Sequence, residues 1–168
     1  YTGVTVEPVA LLAKQIVSGT NYCVLAKITP VTPDATFHYG LVFFYENLNK
    51  NAEITSIKDI DIASGDYGTV DLSKQELAGG WQTADSKYET PKGDYKEAFE
   101  KAAAECNCGK LIPVAYLGSQ IVSGTNYSIL CYNTLGGDSD PGKFVIVTVY
   151  EDLQGNAEIT EMRDIDIA

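Results

Sequence analysis

A single histidine, His38, and four cysteines, Cys23, Cys106, Cys108 and Cys131, are the side chains best suited to nucleophilic or metal chemistry. Cys–His or Ser–His catalysis would have to run through His38. A zinc site would have to do without a pair of histidines. The chain has no G-x-G-x-x-G, no Walker loop and no H-E-x-x-H. Four cysteines allow three full pairings, and spacing does not choose among them. Cys106 and Cys108 are separated by one residue, which reads as too close for an ordinary bridge to each other. A C-x-C without two further ligands nearby is a weak metal signal, so plain thiols or one structural disulfide are preferred to a metal site. Asp138 and Asp140 lack the further carboxylates of a calcium loop and read as a solvated turn. The neighbouring Glu46-Asn47 and Glu151-Asp152 do not read as a hydrolytic acid pair. This inventory points away from an enzyme, a cofactor or a metal, and towards a binding or structural protein.

Composition supports that exclusion. The chain has 168 residues, 12 Lys plus Arg and 23 Asp plus Glu, for a net charge of −11. Phosphate binding draws on clustered cations, and no basic run exists, so nucleic acid and an anionic bilayer are poor partners. With 45% hydrophobic residues the chain can build a packed core. It has no apolar run long enough to span a membrane. No signal peptide opens the chain at Tyr1, which fits a processed or trimmed start as well as a cytosolic one.

The elements that would position any site come from an internal repeat. Val9 to Ala63 aligns without a gap onto Val114 to Ala168 at an offset of 105, with 27 of 55 positions identical. Gln15-Ile16-Val17-Ser18-Gly19-Thr20-Asn21-Tyr22 recurs letter for letter from Gln120 to Tyr127. Asn51-Ala52-Glu53-Ile54-Thr55 recurs from Asn156, and Asp59 to Ala63 recurs as Asp164 to Ala168. The expected organisation is a truncated copy over 1–63, a linker over 64–76 and a complete copy over 77–168.

Only the second copy carries a helix signal. Thr90 followed by Pro91 reads as an N-cap with proline at the first helical position. Tyr95, Ala98, Phe99, Ala102 and Cys106 then fall on one helical stripe, and Gly109 stops it. Strands are expected over Val114 to Gln120, Thr125 to Thr134, Phe144 to Tyr150 and Ala157 to Ile167. The short gaps between them imply hairpins and an antiparallel sheet. The alternating Asp and Ile at each copy's end read as one wet and one buried face. The fold class is therefore α+β, one helix on a sheet of four or five strands, preceded by a helix-less copy of that sheet.

These residues resemble the cystatin family, in particular the stefin type. Val114 to Tyr127 is similar to that family's second strand, first hairpin and third strand. Gln120-Ile121-Val122-Ser123-Gly124 matches its Q-x-V-x-G hairpin, and Gln15-Ile16-Val17-Ser18-Gly19 matches it in copy one. The resemblance covers about nine-tenths of the chain. It implies strand, long helix and four strands wrapped across that helix. It also implies reversible, non-covalent inhibition of papain-like cysteine proteases by a three-part wedge. Gly79 and Gly80, before Trp81, stand where the family has its glycine-bearing trunk. The Q-x-V-x-G hairpin faces the protease's catalytic centre. Leu153-Gln154-Gly155-Asn156, and Leu48-Asn49-Lys50-Asn51 in copy one, stand at the second hairpin. That hairpin lacks the Pro-Trp or Leu-Pro of many inhibitory members, and copy one has no trunk glycines.

The physics of such a wedge is independent of the family. Ile121 and Val122 on a tight hairpin offer apolar area at small entropic cost on docking. The loop holds neither an activated nucleophile nor a base, so it would bind without chemistry. The bland reading weighs equally: Gly19 and Gly124 serve the turn itself. Trp81 reads as a core aromatic, and His38, aligned with Lys143, as a surface residue. Copy one poses its own problem, because a sheet without its helix leaves an apolar face in water. An upstream helix, a helix exchanged from another chain, or packing of the two sheets would cover it; self-association is the expectation. The alternative function is thus a non-inhibitory, secreted or cell-surface assembly module. Secretion and a bacterial style are expected for either reading.

Overall fold

The computed structural model describes residues 3–60, 62, 81–83, 95–134 and 142–167. The chain divides into two compact units, Tyr1–Leu72 with Ile167–Ala168, and Ser73–Asp166. Expectations placed on the 64–76 linker, Gly79, Gly80, Thr90-Pro91, Asp138 and Asp140, and the side chain of Trp81, lie outside the described residues.

The first unit is a four-stranded antiparallel sheet of β1 (Val4–Val17), β2 (Gly19–Pro30), β3 (His38–Glu46) and β4 (Ala52–Asp59), in that order. Among the described residues it has no helix. In the second unit, β5 (Trp81–Thr83) and α1 (Tyr95–Glu105) precede β6 (Lys110–Val122), β7 (Gly124–Thr134), β8 (Lys143–Glu151) and β9 (Ala157–Asp164). These strands form one antiparallel sheet in sequential order. Sequential neighbours joined by tight turns are what the short gaps require. The four-strand pattern is the same in both units at the offset of 105: Thr20 faces Glu46, and Thr125 faces Glu151.

The helix forms where its apolar stripe finds a sheet. Eleven residues are too few for a stable isolated helix, so packing must supply the difference. Ala98, Phe99 and Ala102 are buried against Tyr127, Ile129 and Cys131 of β7 and Val145, Val147 and Val149 of β8. Burying a phenylalanine of this kind contributes about 1.5–3 kcal/mol. Alternation along β7 and β8 puts these residues on one face, as period-two geometry dictates.

Four expectations need correction. Cys106 and Cys108 are bridged to each other, with Cα atoms 5.2 Å apart. The chain turns as it leaves the helix, which brings neighbours that an extended strand would separate into the normal disulfide range. Cys23 and Cys131 are free and buried. The final strand stops at Asp164, short of Ile167; Ile165 holds on through one bond from its N–H to the Phe144 carbonyl, 3.0 Å. The in–out alternation survives beyond the ladder, since Ile165 is buried and Asp166 exposed. His38 is less exposed than a surface residue: its Nε2 lies 2.9 Å from Asp59 Oδ1, with the side chain 17% exposed. The second unit holds the aligned pair, Lys143 Nζ to Asp164 Oδ2 at 2.8 Å.

The helix-less face of the first unit is not the wet apolar surface expected. Val24, Ala26, Ile28 and Val42 at its centre are all buried. Val4 and Val6 from β1, Phe44 from β3, and Ile54 and Ile57 from β4 pack against them. Register shifts between Pro8 and Ala10, between Leu11 and Ala13, and at Phe43/Phe44 bend the outer strands.

Candidate functional site

At the hairpin ends both units put apolar side chains into solvent. In an antiparallel meander, alternate turns fall at the same end of the sheet. In the second unit the β6–β7 hairpin and the β8–β9 turn therefore share one end. β5 joins them there, because Trp81 pairs with Gln120 at the hairpin and the strand runs away from it. The first unit has the same two turns at one end and, among the described residues, no strand outside β1.

At the second unit's hairpin, Ile121 is 56% and Val122 44% exposed; Ile16 and Val17 of the first unit are 78% and 49% exposed. Leu153 and Leu48, at the other turns, are 78% and 79% exposed. These side chains leave apolar area in solvent at that end of each sheet.

The turns beneath these side chains are pinned. Tyr150 Oη donates to the Ser123 carbonyl, and Tyr45 Oη donates to the Ser18 carbonyl. The Asn126 side-chain amide donates to Gln120 Oε1 at 3.0 Å, and Asn21 to Gln15 Oε1 at 3.2 Å. Gly124 has φ +121° and Gly19 φ +123°, in the left-handed half of backbone space. A Cβ on Gly19 would stand 2.5 Å from the Glu46 carbonyl oxygen and 2.7 Å from the Tyr45 ring. A Cβ on Gly124 would collide with the Glu151 carbonyl and lie 2.9 Å from the Tyr150 ring. Both glycines thus have a sufficient reason in the turn alone.

The second turn is an Asx-type cap in both units. Asp152 Oδ1 accepts from the backbone N–H of Gln154 and of Asn156, each at 2.9 Å. Asn47 Oδ1 accepts from Asn49 at 2.9 Å and Asn51 at 3.1 Å. Asp152 also accepts from the Asn156 side-chain amide at 2.8 Å. That bond first, then the backbone donors, hold the Asp152 carboxyl below its ordinary range. Gly155 takes φ +84° and the aligned Lys50 φ +67°. In the second unit Lys101 of α1 donates to the Gly155 carbonyl at 3.1 Å, fastening this turn to the helix.

Of the residues expected at the wedge, Gln120 to Gly124 and Leu153 to Gly155 stand at one end of the second sheet, and Gln15 to Gly19 stand equivalently on the first. Gly79 and Gly80 lie outside the described residues. Four supporting residues were missed. Tyr45 and Tyr150 recur at the repeat offset, 27 residues beyond the serine whose carbonyl each binds; that recurrence was a legible signal. Asn47 and Asp152 cap turns, a role short-range turn chemistry encodes. Among the described residues, no group of three His, Cys, Asp or Glu could hold a metal. Among the same residues, no helix is long and apolar enough to cross a membrane. No protein-family model, no curated protein and no solved structure matches the chain.

Proposed function

We propose that this chain is a cystatin-like, secreted or cell-surface protein that inhibits papain-like cysteine proteases reversibly and without covalent chemistry. The binding end is that of the second unit. Ile121 and Val122 enter the cleft of the enzyme, Leu153 leans on its rim, and the chain before Trp81 lies along the other side. One observation carries this reading: two adjacent exposed apolar residues, Ile121 and Val122, sit on a hairpin whose backbone is clamped by Tyr150 and by Gly124. A clamped loop loses little conformational freedom on docking, so apolar burial appears as affinity. The element order of the second unit, strand, helix and four antiparallel strands, supports the same reading. Leu153 supplies the apolar contact for which its hairpin lacks a proline or tryptophan.

The test is titration of papain with the purified chain. Activity is expected to fall stoichiometrically. The double variant Ile121→Asp, Val122→Asp, exposed in the free chain and so harmless to folding, is expected to restore it. Full papain activity at a large molar excess of the native chain would overturn the reading. The competing reading, a self-associating assembly module, draws on the outer strand β1, where Val9 is 43% and Leu11 58% exposed. Light scattering distinguishes it, since that reading requires a mass above the monomer that Leu11→Lys lowers.

A further inference from the structure

The Cys106–Cys108 bridge closes a ring over one intervening residue, Asn107. Such neighbours stay close in any unfolded chain, so the bridge adds little by chain entropy. Two trans peptide planes inside so small a ring resist closure. The bridge lies just past the last turn of α1. Both cysteines are partly exposed, and Glu105, Asn107, Gly109 and Lys110 around them are exposed. Neither sulfur belongs to the helix–sheet core. The duplicated scaffold does without the bridge, since Tyr1 and Gly3 occupy the aligned positions of the first copy. The other thiols, Cys23 and Cys131, are buried, and burial pushes them up to about 11 and about 12. They offer no thiolate near neutral pH to reshuffle the bridge.

We propose that the Cys106–Cys108 bridge is a reversible thiol–disulfide exchange site for low-molecular-weight thiols. A thiolate R–S⁻ attacks one sulfur of the bridge, forms a mixed disulfide and expels the other sulfur as a thiolate, which takes a proton from water. A second R–S⁻ attacks the R-bearing sulfur, releasing R–S–S–R and the remaining cysteine thiolate, which is protonated in turn. Two R–SH are oxidised to R–S–S–R, and the bridge gains two electrons and two protons. The reaction leaves the core intact because nothing in it depends on the ring.

The experiment equilibrates the native chain in buffers of glutathione and glutathione disulfide. Samples are quenched in acid, alkylated, and the peptide carrying both cysteines is weighed. The bridge is expected to open in buffers of cytosolic poise, with the circular dichroism spectrum unchanged. Inserting two glycines after Asn107 enlarges the ring. That insertion is expected to move the midpoint by about tenfold in the glutathione ratio, towards the oxidised form. A bridge that stays closed at cytosolic poise, a midpoint the insertion does not move, or loss of the native spectrum on opening would each overturn the proposal.

Discussion

Replacing Gly124 with alanine separates two costs that glycine avoids. The first is conformational: an L-residue held at φ +121° loses roughly 1–2 kcal/mol relative to glycine. The second is steric. The new Cβ meets the Glu151 carbonyl and the Tyr150 ring, the latter at 2.9 Å. The carbonyl cannot retreat freely, because Glu151 pairs with Thr125 in the β7–β8 ladder. Overpacking of this kind costs about 1–3 kcal/mol, so the total is about 3 kcal/mol. Gly155→Ala isolates the first cost. Its φ is +84°, but the added Cβ would find only Lys101 Nζ, 3.9 Å away. It should lose about 1 kcal/mol, the discount that Lys50 already bears at the aligned position. Urea unfolding followed by circular dichroism measures both. With a slope of about 1–2 kcal/mol per molar urea, Gly124→Ala should lower the midpoint of the second unit by about 2 M. Gly155→Ala should lower it by less than half as much. Equal losses from the two variants would refute the close-approach argument, and would leave φ as the only reason for Gly124.

Two further outcomes follow from single groups. Ser128 is fully buried, and its hydroxyl finds no hydrogen-bond partner among the described residues, whereas the aligned residue of the first unit is Cys23. Ser128→Cys should therefore stabilise the chain by about 1 kcal/mol, measured as a rise in the urea midpoint; a loss would show that the hydroxyl is satisfied. The Asp152 carboxyl is held below 3.8 in the folded chain, so its contribution is present above that value and is lost as pH falls through the lower, folded value. The amide signals of Gln154 and Asn156 should shift in that acid range. The same signals in Asp152→Asn should not shift, and neither should those of Asn49 and Asn51, which rest on the non-titrating Asn47.

Much of the architecture was legible because it is written locally. Apolar spacing at Tyr95, Ala98, Phe99 and Ala102 marks a helix face, since a helix repeats every 3.6 residues whatever it packs on. The duplicated Gln-Ile-Val-Ser-Gly marks a hairpin because a turn is decided by the few residues within it. Exposure of Ile121 and Val122 follows from their place at that turn. The repeat itself, with one copy carrying a helix and the other only strands, needed nothing but the alignment.

Other features depend on which strands meet and in what register, and these no short window contains. The clash that excludes a side chain at Gly124 comes from Glu151 and Tyr150, 27 residues away or about that, brought alongside by the β7–β8 pairing. Val24 and Val42 pack with side chains from β1, β3 and β4, which only strand pairing makes neighbours, so the face expected to be wet is buried at its centre. The Cys106–Cys108 bridge turns on the path the chain takes as it leaves α1, because a separation of two residues fits a disulfide only when the backbone curls. Sequence determined the elements and their apolar faces, which arise from contacts a few residues apart. Tertiary structure decided the clamps, the close approaches and the cover over the first sheet, which arise from groups that only folding makes neighbours.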